Sequence, residues 1–195
     1  MEVPDTVQLH ERGRQAGRSS GLPVRSHPEG FREKYTALFS DGFDRLCRYL
    51  DRLSGEPELA ADLAQEAFVR LYRRGSMPDA PHAWLVTVAL NLYRNAKTKR
   101  SRRTRLLTVA RSMAVLSDPP AGPAHQLDVA ATRQSVRAAL DALPERERSM
   151  LLLRATGYAY RDIARALDLN EASVGTLLAR ARQAFLKAHR DAHTS

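Results

Sequence analysis

The amino-acid sequence predicts an all-α fold in which two small helical domains are joined by a flexible linker. Three observations support this prediction. Apolar residues recur at intervals of three and four along most of the 195-residue chain, which is the spacing of one face of an α-helix. No stretch of useful length alternates between apolar and polar residues as a half-buried strand does. A segment with three prolines and a glycine, at 117–126, divides the helical part into two blocks.

The first block contains three predicted helices. Apolar spacing predicts a helix over Phe31–Leu53, which the following Ser54-Gly55 pair ends. A proline suits the first turn of a helix, so the next one is predicted over Pro57–Arg74. The segment Gly75–Pro81 is a predicted loop because it is rich in glycine and proline, and a third helix follows over about His82–Arg103.

The second block contains four predicted helices. One apolar face lies before residue 144, and a helix follows over Glu145–Ala155. A short helix over Tyr160–Leu167 is separated by three residues from a longer one over Glu171 to about Ala188. Asn170 is a favourable N-cap for that last helix. A short helix, a tight turn and a longer helix form a helix-turn-helix arrangement.

These elements predict the domain boundaries. Residues 1–30 lack apolar periodicity and are predicted to be a disordered N-terminal extension. The first domain covers 31–105, the linker covers 106–127, and the second domain covers 128–190.

The charge is concentrated in one place. The chain has 31 basic and 22 acidic residues, a net charge of +9. Seven of the basic residues lie in Arg94–Arg105, which contains no acid. Seven cations on about three helical turns repel one another unless a polyanion neutralises them, so this run favours nucleic-acid binding over an ordinary solvated face.

Composition also excludes several classes of protein. No apolar stretch is long enough to span a membrane and no secretory signal is visible, so we expect a cytoplasmic protein. The single cysteine, Cys47, excludes an internal disulfide framework and a cysteine-rich zinc site, and the six histidines lack metal-ligand spacing. No phosphate loop, nucleophile elbow or metal-binding motif appears. The sequence therefore predicts no enzyme, no metal and no cofactor.

Three further features are candidate functional surfaces. The helix-turn-helix would present the start of its second helix to the DNA major groove, although a hairpin that merely packs has the same pattern. Asp62, Gln65, Glu66 and Val69 share one helix face, which is either a docking surface for a basic partner or an ordinary solvated face. The loop before Trp84 could receive an unstacked base, although Trp84 is also a natural core residue.

The order of these pieces resembles a known family. Asp62 to Phe68 (DLAQEAF), then Trp84-Leu85, then Asn91-Leu92 with a basic tail, resembles region 2 of bacterial sigma factors. Leu143 to Arg148 (LPERER), followed by LLLR, YRDIA and ARAR, resembles region 4. A region 2 joined to a region 4 with no domain between them is typical of the extracytoplasmic-function (ECF) group of the sigma-70 family.

The resemblance implies a sigma factor that binds core RNA polymerase, recognises the −10 and −35 promoter elements and helps melt the promoter. It implies binding to the β′ clamp helices and the β flap of the polymerase, to promoter DNA and to an anti-sigma factor, without membrane insertion. The implied polymerase-binding residues are Asp62, Gln65, Glu66 and Val69. The implied −10 residues are Ser76, Met77, Asp79, Trp84, Asn91, Arg94, Lys97, Lys99, Arg100, Arg102 and Arg103. The implied −35 residues are Arg161, Glu171, Ala172, Ser173, Thr176, Arg180 and Arg182.

The sequence departs from the family at the recognition helix. The family usually has Gly-Thr-Val, a basic residue, Ser and Arg, whereas this chain has ASVGTL at 172–177. Two cations are therefore missing, which predicts weak or unusual −35 binding. Two alternatives stay open: a sigma-like mimic that sequesters an anti-sigma factor, and a helix-turn-helix repressor.

Overall fold

The computed structural model describes residues 28–110 and 124–194, and the side chains of residues 28–104 and 132–191. This part of the chain forms seven α-helices and contains no strand. The helices are α1 (Phe31–Ser54), α2 (Pro57–Arg74), α3 (Pro81–Ala110), α4 (Ala124–Asp141), α5 (Glu145–Ala155), α6 (Tyr160–Leu167) and α7 (Glu171–Thr194). The predicted all-α class is confirmed.

Local signals account for the helix ends. Gly55 and Gly75 follow α1 and α2 in the left-handed conformation, with φ of 75° and 72°. Such backbone geometry is easily reached only by glycine, so each helix stops there. Asn170 caps α7 as predicted, because its side-chain oxygen accepts a hydrogen bond from the Ala172 amide at 3.0 Å.

Three helices extend beyond their predicted bounds. α3 continues past Arg103 to Ala110, α4 begins at Ala124 within the predicted linker, and α7 continues past Ala188 to Thr194. These segments contain good helix formers such as Arg, Leu and Ala and lack Gly and Pro, so nothing local stops the helix. Residues 1–27 of the predicted extension and 111–123 of the predicted linker lie outside the described residues.

Helices α1–α3 form the first domain. The short connection after α1 brings α2 back against it, and α3 packs on both. Its core is almost entirely aliphatic and aromatic, and fully burying one such side chain contributes about 1.5–3 kcal/mol. The largest fully buried members are Leu46, Tyr49, Leu50, Leu53, Phe68, Leu71, Val86 and Leu90.

Helices α4–α7 form the second domain. Helices α6 and α7 are the helix-turn-helix, and Asp168 in the turn adopts a left-handed φ of 54°. The core is formed by Ala139, Leu143, Met150, Leu152, Leu153, Ile163, Ala164, Leu167, Val174, Leu178 and Ala181. Because Val174, Leu178 and Ala181 point inward, the other face of α7 is left to solvent.

The two domains pack against each other. α3 contacts α6 and α1 contacts α5, so buried residues of both domains belong to one continuous cluster. Tyr49 of α1 and Tyr158, which precedes α6, meet at the centre with ring centroids 6.5 Å apart. The cores of the two domains are thus joined into a larger one.

Candidate nucleic-acid and polymerase interface

The acidic face lies on α2, opposite its buried side. Asp62 and Gln65 are exposed, and Glu66 and Val69 are half-buried. Arg70 lies on the same surface, where its Nε donates to Glu66 Oε1 at 2.8 Å. The sequence analysis missed this cation, although its i, i+4 spacing from Glu66 was visible in the sequence. The face therefore carries charges of both signs. Asp62 lies one helical turn before the ion pair between Glu66 and Arg70.

The basic part of α3 is exposed, with Lys97, Lys99, Arg100, Arg102 and Arg103 all open to solvent. Cations from this run line two grooves. One groove, of about 800 Å³, lies between α3 and the α1–α2 connection. The other, of about 420 Å³, lies between α3 and Glu145 of the second domain.

Two of these cations have acidic partners that the sequence did not predict. Arg100 forms an ion pair with Glu56, the residue that precedes α2. Arg94 Nε donates to Glu145 Oε1 of α5 at 2.6 Å. Arg94 Nη1 also donates to Asn91 Oδ1 at 3.3 Å, which places these two predicted −10 residues together on one face of α3.

The loop before α3 is partly exposed and partly packed against the first domain. Met77 is half-buried against the core, Ser76 Oγ accepts a hydrogen bond from Arg74 Nε at 3.2 Å, and Asp79 is exposed. Trp84 is also half-buried against the core, and the Arg74 guanidinium carbon lies 5.8 Å from its ring centroid. Trp84 thus packs as a core residue while a cation lies over it, within the range of a cation–π interaction.

His82, in the first turn of α3, lies in a charged pocket that the sequence analysis missed. Its Nδ1 is 3.0 Å from Arg45 Nη2 on α1, and its Nε2 is 3.8 Å from Asp41 Oδ2. Burial lowers the pKa of the imidazole, and the neighbouring Arg45 guanidinium lowers this pKa further. The carboxylate of Asp162, on α6 in the second domain, opposes that shift.

The start of α7 is exposed along its outer face. Glu171, Ala172, Ser173 and Thr176 are all open to solvent there, as are Arg180 and Arg182 further along α7 and Arg161 on α6. Gly175 lies within this helix, and a Cβ added to it would lie 3.6 Å from Tyr160 Cε2, an ordinary van der Waals distance.

Within the described residues, no group of three or more His, Cys, Asp or Glu side chains is placed to hold a metal ion. No described helix is long and apolar enough to cross a membrane.

Comparison with known proteins identifies both halves of the chain. Residues 38–103 match the family model for Sigma-70 region 2, and residues 133–185 match the model for Sigma-70, region 4. The ECF RNA polymerase sigma factor EcfG of Rhodopseudomonas palustris is 32% identical over 142 residues, which cover 69% of this chain and 72% of EcfG. The chain belongs to the ECF sigma factors.

Other relatives are consistent with that membership. The ECF RNA polymerase sigma factor SigE of Mycolicibacterium smegmatis is 32% identical over 145 residues, which cover 72% of this ECF sigma factor and 55% of SigE. The chain therefore spans little more than half the length of that relative. Sigma factors are not known as a family of enzymes.

A solved structure shares the fold. RpoE from Bartonella quintana, in complex with the anti-sigma factor NepR, matches with a TM-score of 0.56 at 21% identity. The match covers 81% of this ECF sigma factor and 98% of the RpoE chain.

Proposed function

We propose that this ECF sigma factor binds core RNA polymerase, directs it to −10 and −35 promoter elements and helps to melt the duplex. One observation carries the proposal: one chain exposes an acidic face on α2, a cationic run on α3 and the outer face of a helix-turn-helix on α7. A protein that only repressed transcription through α6 and α7 would have no use for the first two surfaces.

The acidic face would dock on the β′ clamp helices through Asp62, Gln65, Glu66 and Val69. Its residues follow i, i+3, i+4 and i+7 spacing, so they form a single stripe that another helix can cover. The second domain would bind the β flap and hold the −35 element.

The first domain would hold the −10 element. Asn91 and Arg94, together with the exposed cations of α3, would bind the phosphate backbone, because arginine donates to phosphate oxygens in a planar, bidentate fork. The segment from Ser76 to Asp79 and the Trp84 ring would hold an unpaired base. Unstacking a base costs a few kcal/mol, which the nearby cations and ring contacts would offset.

The polymerase would supply the chemistry, and this chain would not itself be an enzyme. It would act in the cytoplasm wherever the polymerase is bound to DNA. Its similarity in fold to RpoE, which was solved with NepR, supports an anti-sigma factor as a further partner.

Run-off transcription with purified core polymerase on genomic promoter fragments tests the proposal. We expect transcripts with defined start sites that depend on added protein. Reversing charge with Asp62→Lys and Glu66→Lys should reduce core affinity at least tenfold in a pull-down and abolish these transcripts. The matched control is Glu33→Lys with Asp44→Lys, which reverses the charge of two exposed acids on α1 and so makes the same change in net charge away from the stripe. Unchanged core affinity in the double variant would contradict the docking assignment.

The mimic is the second candidate, and the recognition helix favours it. No cation occurs between Glu171 and Ala179 in the part of α7 that would enter the major groove. A mimic would bind an anti-sigma factor but give no specific transcripts with core polymerase, so the same assay separates the two functions.

A further inference from the structure

Arg74, the last residue of α2, reaches into the loop that precedes α3. Its Nε donates a hydrogen bond to Ser76 Oγ at 3.2 Å. Its guanidinium carbon lies over the Trp84 ring, 5.8 Å from the ring centroid. None of the ion pairs between described residues involves Arg74. The positive charge that lies over the ring is therefore not compensated by a carboxylate.

The neighbouring Arg73 shows that these contacts are not a general property of the end of α2. Both arginines are exposed and lie in the last turn of the helix, where the helix dipole favours cations. Only Arg74 contacts Ser76 and Trp84. The dipole accounts for a positive charge at both positions but not for the contacts of Arg74 with the loop and the ring.

The Trp84 ring is a fixed platform beneath this guanidinium. Trp84 is half-buried and packs against the core of the first domain, so its position is set by that packing. The part of the side chain that is not buried is reached from the side on which Arg74 lies. A ring that is already ordered loses little conformational entropy when a ligand stacks on it.

The separation of the guanidinium from the ring suits an inserted base. Stacked groups in direct contact lie about 3.5–4.0 Å apart, and a flat base between two such groups needs about twice that distance, or roughly 7–8 Å. The guanidinium carbon of Arg74 is already 5.8 Å from the ring centroid. A further shift of about 1–2 Å needs only rotation of an exposed side chain, which is fast.

We propose that Arg74 and Trp84 form a two-sided clamp for one unpaired base, in which the ring stacks on one face of the base and the guanidinium on the other. Unpaired bases stack on aromatic rings and on arginine guanidinium planes, so each half of the clamp uses a common mode of recognition. Ser76 is a positioning residue, because its hydroxyl holds Nε and keeps the guanidinium over the ring before DNA binds.

The inference rests on the proposed function, because that function brings an unpaired base to this loop. It adds a residue of α2 to a site otherwise formed by the loop and the start of α3. It also gives the end of α2 a role in DNA binding, distinct from the polymerase-docking stripe earlier on the same helix.

Exchange of arginine for lysine separates stacking from charge at this site. The arginine guanidinium is planar and stacks on aromatic faces, whereas the lysine ammonium is a compact point charge. Arg74→Lys therefore keeps the positive charge and removes both the second face of the clamp and the Nε donor to Ser76. Arg73→Lys is the matched control, because it makes the same exchange at the neighbouring exposed position.

The first test uses the fluorescence of the full chain without DNA. Trp84 is the only tryptophan in the sequence, so the tryptophan emission reports this ring alone. We expect Arg74→Lys and Ser76→Ala to raise the constant for collisional quenching by acrylamide, because the guanidinium no longer covers the ring. Arg73→Lys should leave this constant unchanged. Equal quenching in the two lysine variants would overturn the clamp.

The second test measures affinity for three DNA probes at low salt: a duplex with a central bubble of unpaired mixed-sequence bases, the same bubble with abasic sites, and the fully paired duplex. The unmodified protein should prefer the bubble that has bases, and its tryptophan emission should change on binding. Arg74→Lys should weaken binding to this bubble about three- to tenfold relative to Arg73→Lys, the range of one cation–π or stacking contact. Its affinity for the other two probes should equal that of Arg73→Lys.

The outcomes separate the clamp from the proposed function. An unmodified protein that binds abasic and base-containing bubbles equally would contradict base binding at this loop, and the clamp with it. A normal preference for bases that Arg74→Lys leaves unchanged would overturn the clamp alone. Tighter binding of the base-containing bubble by Arg74→Lys would also overturn the clamp, because the guanidinium would then be blocking the ring.

Discussion

The two candidate DNA-binding surfaces of this sigma factor differ in their chemistry. The cationic run of α3 has seven basic residues in Arg94–Arg105, whereas α7 begins with Glu171 and has no cation before Arg180. Both surfaces are exposed to solvent where their side chains are described. Phosphate contacts supply affinity that depends on salt, while contacts to base edges supply specificity. We therefore expect the first domain to supply most of the affinity for DNA. Any preference for a −35 sequence should come from neutral side chains of the second domain.

The two surfaces also differ in their acidic neighbours. Glu56 and Glu145 pair with Arg100 and Arg94, so part of the α3 charge is already compensated within the protein. On α7, Ser173 and Thr176 present small polar groups instead. Net charge therefore overstates how many phosphates the first domain could bind, and it does not indicate how the second domain would bind DNA.

The largest expected effect in this comparison concerns the cationic run. Replacing Arg100, Arg102 and Arg103 with Ala should weaken binding to mixed-sequence duplex at least about tenfold and reduce the slope of log affinity against log salt by about 3. Fluorescence anisotropy over a salt series measures both. The control replaces three other exposed arginines of the first domain: Arg32, Arg48 and Arg73. An unaltered salt slope in the first variant would refute the phosphate assignment.

The next effect concerns the recognition helix. Thr176→Val keeps the shape of the side chain and removes its hydroxyl, so a lost hydrogen bond to a base should cost about 1 kcal/mol, or about fivefold, on a −35 duplex. The salt slope should stay the same because no phosphate contact is lost. Gln183→Ala, on an exposed position further along α7, is the control. A changed salt slope with no change in sequence preference would mean that Thr176 contacts the DNA backbone and not a base.

A smaller effect is expected on stability. Gly175→Ala should raise the free energy of unfolding by up to about 1 kcal/mol, because alanine is favoured over glycine within a helix. The added methyl group meets only Tyr160, at an ordinary 3.6 Å. Urea unfolding provides the measurement. Gly157→Ala should do the opposite, because Gly157 has a φ of +90° that alanine adopts only with strain.

The smallest effect is a pH dependence at the boundary between the domains. Because the pKa of His82 is lowered by burial and then by Arg45, the unfolded chain binds more protons than the folded one below about pH 6.5. This contribution to stability is therefore complete above that pH and is lost as the pH falls toward the lowered pKa. Asp41 and Asp162 face the same ring and limit the shift, and Arg161 adds to it. His82→Gln should flatten the decline in thermal midpoint between pH 7 and pH 5, and an equal decline in both proteins would exclude His82 as its source.

Most of the secondary structure could be predicted because its signals are local. The spacing of apolar residues indicated every helix, and Gly55, Gly75 and Asn170 marked ends that the structure confirms. The predicted ends of α3, α4 and α7 were less accurate, because helix-forming residues continue beyond the last core contact and no capping residue marks a stop.

The functional surfaces could be located only in part. The face from Asp62 to Val69 followed from helical spacing, and the resemblance to sigma factors supplied its expected partner. The same helical spacing could have placed Arg70 on this face. The pocket around His82 could not have been predicted in this way, because Arg45 lies on a different helix and nothing in its neighbouring sequence indicates that contact.

Local patterns along the chain were sufficient for seven helices, for the helix-turn-helix and for the place of the positive charge, because each depends on residues a few positions apart. Arg94 and Glu145, which form an ion pair, are separated by 51 positions in the sequence. Arg137 and Ser54, whose carbonyl it binds at the end of α1, are separated by 83 positions. An exposed arginine or glutamate has many possible partners, and its own neighbours in sequence do not select among them. The packing of one domain on the other therefore decides which of these cations has a partner within the protein.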